Sequence, residues 1–235
     1  MIAEIINPER VSSADIVVGI PSYNEADTIP IPVDIVSKGL SEFYPNKSSV
    51  IVNADNHSPD GTREVFLSTP TVIPKVYVTT PEGLKGKGHN IRNLFEVAVE
   101  LRAKAIVMLD ADLQSATPSW IEYLLEPLFD DYDYVVPIYV RHKYDGTITN
   151  NIAYPLIRTL YGLRVRQPIG GDFGISGKLA RAFLVEKTWT EDVFNFGIDI
   201  WMTTIAIGRN FKVCQTFMGT SKIHRPKDPA SDLGP

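Results

Sequence analysis

Short apolar runs alternate with amphipathic stretches along most of the chain. Ile16-Val17-Val18-Gly19-Ile20 is a mostly β-branched run closed by Pro21 and predicts a buried strand. A polar loop follows at 22–27, and the apolar spacing then predicts a helix to about Phe43. Val50-Ile51-Val52 and Lys75-Val76-Tyr77-Val78 predict two more strands, the first ended by the polar loop 53–60. Gly83-Leu84-Lys85-Gly86-Lys87-Gly88 reads as a flexible basic loop before a helix over about 89–103. Ala105-Ile106-Val107-Met108-Leu109 is the most apolar strand of all. Pro118 suits a helix's first turn, and 120–128 has helical spacing. Tyr134-Val135-Val136-Pro137-Ile138 predicts a further strand, with Pro137 pointing to an edge or a bulge. The second half is less regular, with Gly170-Gly171, a helix near 197–208 and a strand near 212–217.

Strands that are apolar throughout, alternating with helices, imply an α/β fold: a mainly parallel central sheet covered on both faces. Such sheets bind ligands outside the carboxyl ends of their strands. Three polar clusters fall there: Ser22 to Glu25, Asp55 with Asn56, and Asp110 with Asp112.

Composition narrows the picture. A chain of 235 residues makes one sizeable domain. A net charge of -5 argues against a nucleic-acid binder, which would carry a basic stripe. Cys214 stands alone and cannot form an internal disulfide, which fits a reducing compartment. No stretch approaches the roughly 18 apolar residues of a membrane span, and the N-terminus lacks a signal peptide's apolar run, so a cytoplasmic protein is expected. The run from Ser231 to Pro235 is loop-like, which points to a missing C-terminal segment or a tail packed on a partner.

Two carboxylates one residue apart, Asp110 and Asp112, repel each other unless a cation joins them. A hard divalent ion, bridging to a diphosphate, is the natural partner; an acidic turn capping the next helix is the alternative. His224 would complete a mixed oxygen–nitrogen set suited to Mn²⁺ or Mg²⁺, or it is a surface histidine. Lys85 and Lys87 sit where glycines let the backbone approach a phosphate, though neither a Walker loop nor a Rossmann glycine fingerprint is present. Gly170-Gly171-Asp172 offers either amides and an acid to an acceptor or a tight turn. Asp199 lies near a helix start, where an acid is favoured in any case.

Taken in order, Pro21-Ser22-Tyr23-Asn24-Glu25, the run from Asp55 to Thr62, Gly86-Lys87-Gly88 and Asp110-Ala111-Asp112 resemble the nucleotide-binding half of GT-A glycosyltransferases, whose Rossmann-like fold carries nucleotide-diphospho-sugars. Gln167-Pro168-Ile169-Gly170-Gly171-Asp172, Phe196-Gly197-Ile198-Asp199 and His224-Arg225 resemble the retaining enzymes that make mannosylglycerate and glucosyl-(3-phospho)glycerate. The resemblance implies a donor-binding half to about residue 115 and an acceptor-binding half over about 116–228. It implies that Pro21, Tyr23, Glu25, Asp55 and Asn56 hold base and ribose. Lys87 would meet the diphosphate or sugar, Asp110 beside Ala111 the ribose or sugar, and Asp112 with His224 a divalent metal (Mg²⁺ or Mn²⁺). Thr147, Thr149, Gly170 and Gly171 would line the acceptor pocket, with Arg141 forking onto a carboxylate, and Asp172 and Asp199 orienting the acceptor. The expected partners are a UDP- or GDP-hexose and a small hydroxy acid; a homodimer stays open.

Two departures bear on the acceptor. The acid after Gly-Gly is Asp172 rather than the longer Glu of these families. Phosphoglycerate-using members place arginine where Thr147 stands, so glycerate is the better fit unless Arg141 or Lys143 substitutes. The rival readings are a sugar-phosphate nucleotidyltransferase, which lacks its glycine-rich basic loop here, and a non-catalytic nucleotide-sugar binding module.

Overall fold

The computed structural model describes residues 2–141 and 145–225. Lys143 and the C-terminal run from Ser231 therefore lie outside the described residues. Eight strands form one sheet in the order β1-β4-β3-β2-β5-β7-β6-β8. The strands are β1 (Glu4–Ile6), β2 (Ile16–Ser22), β3 (Ser49–Asp55), β4 (Lys75–Thr79), β5 (Ala105–Met108), β6 (Tyr134–Ile138), β7 (Phe173–Ser176) and β8 (Val213–Phe217). The five strands predicted from 16 to 138 and the one near 212–217 are all present. β4, β3, β2 and β5 run parallel, as does the β6–β8 pair. β7 runs antiparallel to both β5 and β6, and β1 antiparallel to β4, so the sheet is mixed at these points.

Apolar residues alternate between faces along β2. Val17 joins a core packed under α3 (Lys87–Glu100), α6 (Gly177–Val185) and α7 (Ile198–Gly208). Ile16, Val18 and Ile20 join the opposite core under α1 (Pro30–Phe43) and α4 (Pro118–Phe129). Gly19 faces α3 so closely that a Cβ there would fall 2.8 Å from Leu94 Cγ. Pro137 is not on an edge, because β6 lies between β7 and β8. Its missing N–H is tolerated since pairing with β7 stops at Val135, while the parallel β8 continues alongside.

Two short helices were not apparent in the sequence, α2 (Thr62–Ser68) and α5 (Tyr154–Tyr161), nor were α6 and the π-helical segments Thr149–Ala153 and Val193–Gly197. No helix among the described residues is long and apolar enough to cross a membrane.

Candidate active site

The carboxyl ends of β2, β3 and β5 open onto a cleft of about 570 Å³. The loop after β3 builds its neighbour. Ser58 Oγ accepts from Asn24 N, Thr62 Oγ1 from Glu25 N and an Asp60 oxygen from Ala26 N, so the second polar cluster holds the first in shape. Asn56 extends this frame: its Oδ1 accepts from Gly86 N, and its Nδ2 donates to Asn90, which in turn donates to the Ser22 carbonyl. Pro21, Tyr23, Glu25, Asn56, Lys87, Asp110, Ala111, Asp112, Asp199 and His224 all line the cleft, together with Ser22, Lys85, Asn90, Asn195 and Phe196.

Asp55 does not line the cleft. Its side chain is fully buried, and its carboxylate accepts from Ser22 and Ser58 hydroxyls, Ser58 N and the Tyr77 hydroxyl. Four protein donors reach it, so it braces the loop.

Lys87 is not in the loop but opens α3, behind an N-cap glycine, Gly86, at φ 132°. Gly86 and Gly88 are required by packing as well: a Cβ at either would run into the Phe194 backbone. Lys87 Nζ lies 2.8 Å from Asp110 Oδ1 and 3.6 Å from Asp199 Oδ1. Lys222 lies 2.7 Å from Asp110 Oδ2, 2.8 Å from Asp172 Oδ2 and 2.8 Å from the Gly170 carbonyl. The five side chains form an alternating row, Asp172–Lys222–Asp110–Lys87–Asp199, running from the interior to the cleft. Burial alone would raise the Asp110 carboxyl, but Lys222 and Lys87 overrule it and hold it far below the usual range. Burial likewise opposes charge on Lys87, and Asp110 and Asp199 reverse that, leaving the ammonium more basic than usual. For Asp172 burial prevails and the carboxyl is raised.

Asp172 also lies behind the cleft. It is fully buried, accepts from Asp110 N at 3.0 Å and from the Tyr139 hydroxyl at 2.5 Å, and does not line the cleft. None of the five expected acceptor residues lines it either. Thr149 is buried and Thr147 points to solvent in a separate segment. Arg141 Nη2 donates to Gln167 Oε1, so its fork is partly occupied within the protein. Gly170 and Gly171 pack behind Asp110; Gly171, at φ 82°, has no room for a Cβ, which would fall on the Asp110 carboxylate and 2.6 Å from Lys222 Nζ.

Lys222 was missed because a lysine in loop-like sequence reads as solvated. The available signal was its spacing: two residues before His224 in an extended segment, it faces the same way. That segment bridges to Leu113, and His224 Nδ1 comes 2.8 Å from Asp112 Oδ1. The two side chains hydrogen-bond to each other at this distance, and an oxygen and a nitrogen ligand brought together in this way would suit a divalent cation. Among the described residues no group of three His, Cys, Asp or Glu side chains gathers for a metal. An ion here would draw its remaining ligands from substrate and water.

The sequence matches the glycosyl transferase family 2 over residues 17–189. The chain belongs to that family. No curated protein sequence matches it. Among solved structures, this family 2 chain is similar to glucosyl-3-phosphoglycerate synthase from Mycobacterium tuberculosis in complex with Mn²⁺, UDP and glucosyl-3-phosphoglycerate, at 22% identity and TM-score 0.69, over 93% of this chain and 74% of that one. The same enzyme with Mg²⁺ and UDP matches at 21% identity and TM-score 0.69, over 94% and 74% of the two chains. Its complex with Mn²⁺, UDP-glucose and phosphoglyceric acid matches at 22% and 0.69, over 94% and 75%. These likenesses establish the GT-A fold, with β7 as its reversed strand.

Proposed function

We propose that this chain is a retaining hexosyltransferase, moving glucose or mannose from a UDP- or GDP-sugar to a small hydroxy acid such as glycerate. The observation that carries this reading is the placement of Lys87, in the first turn of a helix at the cleft, beside the Asp112–His224 pair. A helix start, an ammonium and a divalent cation together suit a diphosphate leaving group. Asp112 and His224 would hold Mg²⁺ or Mn²⁺, which supplies Lewis-acid stabilisation of the departing diphosphate. The solved structures to which this chain is similar contain Mn²⁺ or Mg²⁺ with UDP, which supports both the metal and the donor class.

Pro21, Tyr23, Glu25 and Asn56 frame the base and ribose end of the cleft, where Lys85 sits 4.6 Å over the Tyr23 ring. Burial raises the Glu25 carboxyl, as suits a group meant to meet an uncharged base or ribose. Asp199 Oδ1 is buried without a hydrogen-bond partner, so it is the acid we assign to orienting a sugar or acceptor hydroxyl. Asp110 and Asp172 are committed to lysines and do not serve as nucleophiles, consistent with same-face attack by the acceptor. Thr147 in place of arginine, and Arg141 held by Gln167, favour an acceptor without a phosphate. We place the reaction in the cytoplasm; burial pushes the lone Cys214 thiol up to about 11, which keeps it unreactive.

The test is transfer from UDP-glucose or GDP-mannose, with and without Mn²⁺, to glycerate and to 3-phosphoglycerate. Asp112→Asn is expected to lower kcat/KM by about 100-fold or more and to weaken Mn²⁺ dependence, since even outer partners of a metal cost 10–100-fold. An inverted anomer in the product refutes retention. Full activity of Asp112→Asn with an unchanged metal requirement refutes the metal assignment.

A further inference from the structure

Lys87 and Lys222 hold the two oxygens of the same carboxylate, yet their surroundings differ. Lys87 lines the cleft, and its side chain is 24% exposed. Lys222 is only 6% exposed, and its three hydrogens have three protein acceptors: Asp110 Oδ2, Asp172 Oδ2 and the Gly170 carbonyl. A saturated, buried ammonium has nothing left for a substrate. Its neighbours explain the fit. Gly171 leaves the space it occupies, Tyr139 lies 5.5 Å beneath it, and Asp172, its second anion, also fixes the Asp110 backbone.

Without Lys222, Asp110 would be free to turn both oxygens to Lys87 and draw that ammonium inward. We propose that Lys222 is a positioning residue for donor binding: it holds one oxygen of Asp110 so that Lys87 is presented to the donor's diphosphate. The proposal rests on the donor reading above. It assigns Lys222 an effect that acts only through Lys87, and only on phosphate-bearing ligands.

A double-mutant cycle on the full chain tests this, with Lys87→Met, Lys222→Met and the double variant. Calorimetric Kd values are measured for UDP, GDP and uridine in the presence of Mn²⁺. Lys222→Met is expected to weaken UDP or GDP by on the order of tenfold, the usual scale of one charge-assisted hydrogen bond, and to leave uridine unchanged. In the Lys87→Met background the same substitution is expected to cost almost nothing further, because coupled residues are non-additive. Lys222→Arg, which keeps the charge, is expected to recover part of the loss. Gly171→Ala would push a Cβ onto the Asp110 carboxylate and to 2.6 Å from Lys222 Nζ, so it disturbs the same Lys222–Asp110 pair and is expected to copy Lys222→Met. Equal losses for UDP and uridine, or additive losses in the cycle, overturn the proposal and leave Lys222 a packing residue. If Lys222→Met fails to fold, Lys222→Arg and Gly171→Ala carry the same comparison, and an unchanged UDP Kd in both overturns it. A native chain that binds neither UDP nor GDP overturns the donor reading itself, and this role with it.

Discussion

Replacing Asp172 by alanine separates its structural duty from any role in the reaction. The side chain is fully buried and accepts from Asp110 N, from the Tyr139 hydroxyl and from Lys222. Alanine orphans the Asp110 N–H outright. Tyr139 and Lys222 lose less, because each also reaches the Gly170 carbonyl, and Lys222 keeps Asp110. Removing one partner of a buried pair typically costs about 3–5 kcal/mol. The retained contacts, and the relief of the burial that already raises this carboxyl, put Asp172→Ala near the lower end, about 3 kcal/mol. With an unfolding entropy of about 2.1 cal/mol/K per residue, a chain of this size loses about 6 °C in Tm. Asp172→Asn keeps an acceptor for Asp110 N and is expected to lose about half as much. Urea unfolding and calorimetry at pH 7 measure both. A loss below 1 °C for alanine, or a larger loss for asparagine than for alanine, refutes this bonding scheme.

Two further substitutions probe stability away from the cleft. Hydrogen bonds from Lys104 and then Ser48 hold the Asp15 carboxyl down to about 2, below its unfolded value of about 3.9. That stabilisation is present above about pH 4 and is lost as pH falls toward 2, so Asp15→Asn is expected to flatten the urea midpoint across that window. The effect is small and salt-sensitive because Lys104 is largely exposed; an acid limb identical in both proteins counts against it. Lys75, nearly buried, donates to the carbonyls of Phe66, Leu67 and Thr69 at the end of α2. Lys75→Met strands these acceptors and is expected to cost about 2 kcal/mol, read as a lower Tm; an unchanged Tm shows that water replaces the lysine.

The N-terminal half was the legible half. Its strands are apolar, mostly β-branched runs, and the residues at their ends are polar in otherwise apolar company, so period and position both spoke. What the sequence could not reveal was which polar residue faces inward. Asp55 and Asp172 read as ligand contacts, because an acid beside a glycine-rich or polar loop looks the same whether its partners are substrates or serines, tyrosines and lysines. β7 was invisible for a different reason: Phe173-Gly174-Ile175-Ser176 is no shorter than β5, but it lacks a continuous apolar run and contains a glycine against which the Leu124 carbonyl packs. Such a strand gains its identity from its two neighbours, not from its own propensity. Helix α6 followed it into obscurity, since it starts on Gly177, placed there by contact with the Ala103 carbonyl. Lys222 was hidden by a prior that serves well elsewhere, that loop lysines are solvated.

The reversal of β7 ties a distant stretch of the chain to the cleft. A reversed strand delivers its beginning where its neighbours deliver their ends, so Gly171 and Asp172 arrive beside Asp110 from the far side of the sequence. The segment joining β6 to β7 is therefore anchored at its last two residues to Asp110 at the cleft. A graft of that segment from a relative leaves the cleft in shape only if it keeps a glycine and an acid of this reach at its exit. Chimeras cut before Gly171 are exchangeable parts; chimeras cut after Asp172 also exchange the partner of the Asp110 backbone.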